Sequence, residues 1–462
     1  MLARQLVESF RAAHHLPAPI ADLAALHLLD AIGVGLAAST GPPGRTYHAA
    51  AEALGGVGGP ATVLGSGEGA TPAVAALANG GLIHALEYDD THTGSIVHGS
   101  SVLAATVLAA AEARPSLSGA RVLQVFALGW EAMIRIGLAA PGGFQREGFQ
   151  ITSVAGAPIA ALLAAELAGA SVDEAVHAMG IALSQSSGVF EFLTNGATVK
   201  SLHPGWAAHA GICAAALARA GLTGPATSLE GRLGLFARFA NDRPAADRLA
   251  KKLGDLGTAW HLADAAFKFH PCCHYIHPFL QALDRLEGQG HDLSRVEALT
   301  CLVPAGEAPI ICEPWEGRLA PTSAHEMRYS LPVVLALRML DGRIGLASFD
   351  RLPDEAVLTF ARRIRWEPMP DADFPTRFQA EINAKVTGGA TVRVRVEDVF
   401  GGPGDPASRD DVLAKFRANA GQACAPKGVE AVERAVLALN SGTVGEVTHA
   451  LRRATRPARQ AA

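Results

Sequence analysis

The sequence predicts a mainly α protein in which a large all-helical domain carries a smaller, inserted α+β domain. Alanine-rich runs of helix length, apolar nearly all round, repeat from Ile20 to about Ala220 and are separated by Gly, Pro or Ser-Gly. Thr391–Glu397 alternates strictly between polar and apolar residues, as a half-buried strand does. We therefore assign residues 1–266 and 402–462 to the helical domain and residues 267–401 to the α+β domain.

The individual elements follow from the same periodicities. The predicted helices are Ala21–Ala38, Pro72–Tyr88, Ser101–Ala113, Arg121–Gly137, Gly156–Ala168, Ala207–Ala220, Pro332–Leu340, Arg409–Ala418 and Gly428–Leu439. Val296–Val303 and Val357–Trp366 are further strand candidates. We interpret Gly402–Gly404 as a linker and expect Arg452–Ala462 to fray.

Composition and charge exclude several classes of protein. Hydrophobic residues make up 49% of the chain and charged residues 18%, which indicates a large core rather than disorder. A net charge of −5 gives no electrostatic reason to expect nucleic acid or an anionic membrane as a partner. Six cysteines, two of them adjacent, fit the reducing cytoplasm better than a disulfide framework. We expect neither a secretory signal in Met1–Pro17 nor a membrane span, since the apolar stretch near Val102–Ala111 is too short.

The first motif with chemical content is His84-Ala-Leu-Glu-Tyr-Asp-Asp-Thr-His-Thr-Gly-Ser-Ile-Val-His98. Acidic residues at a helix C-terminus oppose the helix dipole, so an ordinary solvated helix end is the less favourable interpretation. On a continuous helix, Glu87, Asp90 and Thr91 would share one face at i, i+3 and i+4. A helix that brings carboxylates, a hydroxyl and then His98 together supplies groups for acid–base catalysis.

The second motif is Val199-Lys-Ser-Leu-His-Pro-Gly-Trp206. Gly205 at the head of a helix, with Lys200 just before it, would form a positive pocket for a carboxylate, although a surface lysine is an equal alternative.

The third motif is Lys268-Phe-His-Pro-Cys-Cys-His-Tyr-Ile-His277. Structural zinc sites usually bring two separated ligand pairs, and iron–sulfur clusters need spaced thiolates, so neither metal centre is favoured here. Gly55–Pro60 also lacks the setting of a dinucleotide loop. We therefore expect an enzyme without metal or other cofactor.

These three segments, in this order, resemble the MmgE/PrpD family, which includes 2-methylcitrate dehydratase, cis-aconitate decarboxylase and iminodisuccinate epimerase. The resemblance runs over nearly the whole chain. Besides the three motifs it rests on Ala78-Asn-Gly80, Gly129-Trp-Glu131, Arg135-Ile-Gly137, Gly221-Leu-Thr-Gly-Pro225, Leu229-Glu-Gly231, Tyr329-Ser-Leu331 and Leu340-Asp-Gly342.

The resemblance implies that the α+β domain is a lid, that a cleft separates it from the helical domain, and that the protein is a homodimer with a metal-free site. Carried over position by position, it implies a site made of Glu87, Thr91, His98, Gln150, Lys200, Lys268 and Cys273. Glu87 stands where the family has Asp, Gln150 where a His is common, and Cys273 where decarboxylase-like members have His. His98 is followed by Gly99 rather than the usual Pro.

We predict a cofactor-independent lyase that dehydrates a citrate-like di- or tricarboxylate. His98 would remove the Cα proton, titrating near neutrality, and Lys200 or Cys273 is the alternative base. Lys200 and Lys268 would stabilise the enolate-like state.

Other side chains would assist these groups. Gln150 and His203 would help to bind substrate, and Glu87, Asp90 or Thr91 would orient His98 or protonate the leaving hydroxyl. A family-mate epimerase or decarboxylase, and a catalytically inactive helical binding protein, are the alternatives.

Overall fold

The computed structural model describes residues 1–55 and 57–455, and these residues are mainly helical with a small sheet. The helices that precede residue 260 are α1 (Leu2–Ala12), α2 (Ala18–Ser39), α3 (Pro42–Ala53), α4 (Pro72–His84), α5 (Gly99–Glu112), α6 (Gly119–Ala139), α7 (Gly143–Arg146), α8 (Ile151–Val154), α9 (Gly156–Leu167), α10 (Val172–Leu183), α11 (Leu202–Arg219), α12 (Leu235–Phe239) and α13 (Ala245–Lys252). Two short antiparallel pairs accompany them, β1 (Val57–Thr62) with β2 (Gly69–Ala70) and β3 (Thr91–His92) with β4 (Ala265–Ala266).

The remaining elements form a four-stranded sheet with its helices, followed by three C-terminal helices. In chain order they are α14 (His277–Gly288), β5 (Val296–Pro304), α15 (Ala308–Ile311), α16 (Trp315–Leu319), α17 (Ala324–Met327), α18 (Leu331–Asp341), α19 (Glu355–Ala361), β6 (Ile364–Met369), β7 (Ala380–Val386), β8 (Thr391–Val396), α20 (Arg409–Ala420), α21 (Pro426–Leu437) and α22 (Val444–Ala454). The strand order is β6-β5-β7-β8; β5 runs parallel to β6, and the other two pairs are antiparallel.

The described residues bury two hydrophobic clusters. One takes its members from residues 2–267 and 412–454, and the other from residues 272–396. The predicted domain boundaries stay a prediction, because a separate cluster does not by itself define a unit that folds alone.

Several predicted elements are confirmed, and some are corrected. The strand over Val296–Val303 is present as β5 and the alternating segment as β8. The single strand over Val357–Trp366 is wrong, because α19 occupies its first half and β6 its second. Asp354 caps α19 by accepting from the backbone N–H of Val357, and the buried residues of this helix recur at helical spacing. The expected fraying is also wrong for Arg452–Ala454, which end α22; residues 456–462 lie outside the described part of the chain.

Helices α2 and α6 are longer and more apolar than Val102–Ala111, the stretch considered above for a membrane span. By length and composition either could cross a membrane, but 83% and 89% of their apolar windows are buried inside the fold. Core helices of large helical proteins pass the same test of length and composition.

Helices α4 and α11 make a close contact through two glycines. A Cβ added to Gly80 would lie 2.6 Å from the Cα of Gly205, and one added to Gly205 would lie 2.3 Å from the carbonyl oxygen of Leu77. The close contact between α4 and α11 bears on the candidate site, because each helix adjoins one of the polar segments described below.

We expect Gly205→Ala to destabilise the protein by about 1–3 kcal/mol or more, because the added methyl group meets backbone that cannot move aside. Gly288→Ala, at the last residue of α14, is the matched control, since its Cβ would meet nothing within 4 Å. Thermal melting should show a clear loss for the first variant and little change for the second. Equal melting temperatures would contradict the close packing of α4 on α11.

Candidate active site

The acidic segment of the first motif is a loop rather than the end of a helix. Helix α4 ends at His84, so the predicted common face of Glu87, Asp90 and Thr91 does not form. Glu87 adopts a φ of 53° in the left-handed region, and Thr91 begins strand β3. The carboxylates of this loop bind partners that lie on different sides of it. A continuous helix could not direct all of these side chains toward their partners.

Two acidic residues of this loop are held by buried histidines. Asp89 Oδ2 lies 2.8 Å from His84 Nδ1, and Asp90 Oδ2 lies 2.6 Å from His27 Nδ1. Ser100 also donates to Asp90 through its hydroxyl and its backbone N–H. Asp90 does not line the pocket described below, so its predicted catalytic role is replaced by a structural one, which is to fix the loop against α2 and α5.

Lys415 of α20 supports the same loop from the C-terminal helices. Its Nζ donates to the carbonyl oxygen of Tyr88 at 2.9 Å and lies 2.8 Å from Asp30 Oδ1 of α2. All three side chains are largely buried. The loop is therefore anchored by paired buried charges on the side away from the pocket.

Glu87 turns the other way and meets two lysines. Lys200 Nζ donates to both carboxylate oxygens of Glu87, at 2.7 and 2.6 Å, and to the hydroxyl of Tyr329 at 2.6 Å. Lys268 Nζ donates to the backbone carbonyl of Glu87 at 3.2 Å and lies 4.0 Å from its Oε2. Burial acts to raise the pKa of Glu87, but the positive charges of Lys200 and Lys268 outweigh it and hold the pKa well below its usual range.

The short pairing of β3 with β4 explains why these groups meet. Thr91 is opposite Ala266, two residues before Lys268, so the strand pair brings the acidic loop beside the third motif. Arg328 adds a second connection, since its guanidinium donates to the carbonyl oxygens of Leu86 and Pro271. Arg328 immediately precedes Tyr329, which explains how the α+β part of the chain contributes to the same site.

His98 lies at the N-terminus of α5 with one ring nitrogen engaged. Its Nδ1 lies 2.9 Å from Thr91 Oγ1, and its backbone N–H donates to Thr152 Oγ1 at 3.0 Å. Among the described residues Nε2 makes no hydrogen bond. Burial, followed by the charge of Lys268, lowers the pKa of His98 well below its usual range, although Asp89 opposes them. This direction favours a neutral imidazole and lies below the titration near neutrality that the sequence predicted.

Gln150 and His203 form a chain of hydrogen bonds with His84. The amide of Gln150 donates to His84 Nε2 at 3.0 Å, which makes His84 Nδ1 the donor to Asp89. His203 Nδ1 lies 2.6 Å from Gln150 Oε1. Gln150 lines the pocket and His203 does not, so the predicted contact of His203 with substrate is corrected to positioning of Gln150. Burial lowers the pKa of His203 to about 4, so it is neutral as well.

The third motif contributes Cys273 and His274 to the pocket wall. Burial raises the pKa of Cys273 to about 11, even though Lys200 and Lys268 oppose this, so its thiol is protonated and a poor base at neutral pH. Neither ring nitrogen of the buried His274 has a hydrogen-bond partner among the described residues. A buried imidazole of this kind favours a polar ligand beside it.

These groups line one cavity of about 530 Å³. Of the predicted residues it contains Glu87, Thr91, His98, Gln150, Lys200, Lys268 and Cys273. Tyr329, His274, His84 and Asp89 were not among the predicted site residues. Tyr329 and His274 stand in two of the motifs quoted above, but nothing in a sequence shows that Asp89 rather than Asp90 lies within 4.0 Å of His98.

His84, Asp89 and His98 also form a group that could hold a metal ion, because one ligand atom from each lies within 4.8 Å of the others. The His/Cys segment from His270 to His277, whose composition raised a metal site, forms no such group in the described part of the chain. Asp89 and His84 are hydrogen-bonded to each other. The buried carboxylate and the Nδ1–H of the imidazole therefore already have a partner.

The titration of His98 can be measured directly. Because burial and Lys268 disfavour its protonated form, we expect the imidazole to stay neutral well below pH 6.5, the approximate midpoint of an unperturbed histidine. NMR of labelled imidazole nitrogens, with the signal assigned by its loss in His98→Asn, would report the midpoint. A midpoint at or above pH 6.5 would contradict the burial and charge arrangement described here.

Comparison with known proteins places the chain in a family. Residues 5–247 match the model of the MmgE/PrpD N-terminal domain, and residues 270–441 match that of the MmgE/PrpD C-terminal domain. Cis-aconitate decarboxylase of Aspergillus terreus is 27% identical, over 82% of this chain and 80% of its own length. Cis-aconitate decarboxylase-like protein oryM of Aspergillus oryzae is 28% identical over 92% and 91%, and human cis-aconitate decarboxylase is 29% identical over 79% and 76%. With both domain models matched in order along most of its length, the chain belongs to the MmgE/PrpD family.

Proposed function

We propose that the protein is a cofactor-independent lyase that removes water from a small di- or tricarboxylate at a carbon next to a carboxylate. The observation that carries this proposal is a neutral imidazole, His98, in the same pocket as the paired cations Lys200 and Lys268. A neutral imidazole can accept a proton from carbon, and ammonium groups stabilise the negative charge that this removal leaves on the carboxylate.

The two lysines are not equivalent in this proposal. An ammonium group has three N–H donors, and Lys200 directs its three hydrogen bonds to Glu87 and Tyr329. Lys268 makes one hydrogen bond among the described residues, to the Glu87 carbonyl, and keeps donors for a ligand. We therefore assign the contact with the reacting carboxylate to Lys268 and a supporting electrostatic role to Lys200.

Dehydration moves two protons. Nε2 of His98 takes the Cα proton while Thr91 holds Nδ1, and the electron pair of the broken C–H bond forms the double bond as the C–O bond breaks. Tyr329 accepts from Lys200, so it keeps its own proton to donate to the departing hydroxyl. Burial and Glu87 raise the pKa of Tyr329 well above its usual range. The phenol therefore holds its proton at neutral pH until the C–O bond breaks.

Decarboxylation is the second candidate, because the similar proteins from Aspergillus terreus and human are cis-aconitate decarboxylases. In that reaction a C–C bond breaks, CO₂ leaves, and the electron pair on the remaining carbon is stabilised by Lys268 and then protonated. Two departures weigh against it, since Gln150 and Cys273 stand where histidines are common in the family or its decarboxylase-like members. An amide and a thiol of raised pKa are poor proton donors for such a carbanion.

Three further features are proposed. The family resemblance implies that the α+β domain would act as a lid over the pocket and that the protein would be a homodimer. The six cysteines without a disulfide framework favour the cytoplasm. The molar mass in solution, compared with the 47.7 kDa chain, would test the second of these.

The reaction can be identified with a panel of saturated hydroxy- and unsaturated di- and tricarboxylates in deuterated water. We expect wild-type protein to form a double bond from a hydroxy acid and to exchange the Cα proton, both visible by proton NMR. His98→Asn should lose dehydration and exchange by at least about 10²-fold, consistent with loss of a general base, while melting normally. Release of CO₂ without dehydration would replace the first candidate with the second, and exchange at the wild-type rate in His98→Asn would show that the base is another group.

Activity should be independent of added metal. Dialysis against a chelator should leave the rate unchanged, because His84 Nδ1 and Asp89 Oδ2 are already hydrogen-bonded to each other and Thr91 engages Nδ1 of His98. Elemental analysis of the same sample provides the control for residual metal. A rate that is lost on dialysis and restored by Zn²⁺ or Fe²⁺ would assign the His84, Asp89 and His98 group to a metal ion instead.

A further inference from the structure

Glu307 is a completely buried acidic residue whose carboxyl group has no hydrogen-bond partner. Its exposed fraction is 0%, and neither Oε1 nor Oε2 has a partner in the part of the chain that the structure describes. Burial raises the pKa of Glu307 well above its usual range, and no positive charge of the described residues opposes this. An ionised carboxylate without a partner is far less stable in a protein interior than in water. The surroundings of Glu307 therefore favour the protonated acid.

Glu307 belongs to the segment that leads from strand β5 into helix α15. Its backbone carbonyl accepts from the N–H of Ile310 at 2.9 Å, which fixes it at the start of that helix. Gly306, Pro309 and Ile310 line the pocket, whereas Glu307 does not. We call residues 305–311 the wall segment. The unpartnered carboxyl group thus lies behind a wall of the pocket that its own neighbours form.

The groups that face Glu307 from other parts of the fold supply no counter-charge. Tyr275, in the turn before α14, and Cys312, at the end of α15, are the titratable residues whose pKa values the charge of Glu307 raises, after the larger effect of burial. Both directions favour a neutral phenol and a neutral thiol. Arg318 lowers the pKa of Cys312, but its guanidinium donates to the carbonyl oxygen of Glu313 and does not lower the pKa of Glu307.

We propose that Glu307 is a pH switch in the wall of the pocket: its protonated form holds the wall segment closed, and its ionised form draws the segment outward into solvent. The carboxyl proton passes to water or hydroxide, and the carboxylate gains the hydration that the interior lacks. Helix α15 has only four residues, so its displacement breaks few backbone hydrogen bonds. Because the wall segment lines the pocket, its displacement would open the pocket on that side.

The direction of the pH dependence follows from the two forms of the wall. In the open form the carboxyl group is hydrated and has the usual pKa of about 4.3, whereas in the closed form the pKa is raised. The advantage of the closed form is therefore complete below about pH 4.3 and is lost as the pH rises through the closed-form pKa. Within this window each pH unit shifts the ratio of closed to open molecules about tenfold toward the open form.

Hydrogen exchange of the wall segment tests the switch without any substrate, so its result does not depend on the proposed lyase activity. Mass spectrometry would give the exchange rate of a peptide that contains residues 305–311 in wild type and in Glu307→Gln. Chemical exchange itself accelerates with pH, and the ratio of the two rates at each pH removes that effect. We expect this ratio to rise by up to about tenfold per pH unit within the window. A ratio that stays constant from about pH 5 to about pH 9 would overturn the proposal.

Infrared difference spectra would locate the proton directly. A protonated carboxylic acid has a carbonyl stretch that a carboxylate lacks, so the band that is present in wild type and absent in Glu307→Gln belongs to Glu307. We expect this band at neutral pH and its loss over the pH range in which exchange of the wall segment accelerates. If wild type lacks the band at neutral pH, the carboxyl group is already ionised in the closed form and the proposal is overturned.

Glu316→Gln is the matched control, because it removes the same acidic group at an exposed position of the neighbouring helix α16. The ratio of wild-type exchange to its exchange should stay constant with pH. Glu307→Met keeps a side chain of similar length without a carboxyl group and serves if the Gln variant does not fold. Its melting temperature should exceed that of wild type by more at about pH 8 than at about pH 5, since only wild type loses stability as Glu307 ionises. A difference that does not grow with pH would contradict the switch.

Discussion

The buried ion pair between Glu87 and Lys200 is the interaction on which the site depends. Removing one partner of such a pair leaves an uncompensated charge in a medium that solvates it poorly, which is strongly destabilising. The segment before α11 must therefore stay against the loop after α4, and the glycine contact between these two helices permits that distance. Lys268 and Tyr329 complete the arrangement from the part of the chain that carries the sheet.

The remaining polar groups near the loop limit how it can move. Asp89, Asp90 and Asp30 each have a buried partner, and Gln150 connects His84 to His203. A network in which most members are satisfied is rigid, because any displacement leaves a buried donor or acceptor unpaired. This rigidity favours catalysis by preorganisation: the cations already lie where negative charge would develop, and His98 is already neutral. The proposed roles of these residues depend on that fixed geometry more than on any single side chain.

Much of the fold was predictable from local pattern. The alternation of Thr391–Glu397 and the apolar run of Val296–Val303 gave correct strands, because alternation is typical of a half-buried strand and a short apolar run is typical of a buried one. The end of α4 was not predictable to the residue, because Ala85–Asp90 has no Gly or Pro to stop a helix. That helix ends where tertiary partners for Glu87 and Asp89 outweigh local propensity. Strand β7 was missed because it is buried on both faces over much of its length and shows weak alternation.

The sequence by itself determined the helical body, the inserted sheet, the family, and the residue types available for chemistry, because these depend on periodicity and on the order of motifs. Only the tertiary structure decided that Asp90 and His203 do not line the pocket, that Asp89 lies 4.0 Å from His98 and Tyr329 accepts from Lys200, and that Lys268 keeps donors that Lys200 does not. It also decided that burial and Lys268 lower the pKa of His98. These features depend on how deeply a group is buried and on charges from distant parts of the chain. The local spacing of residues in the sequence encodes neither burial nor such charges.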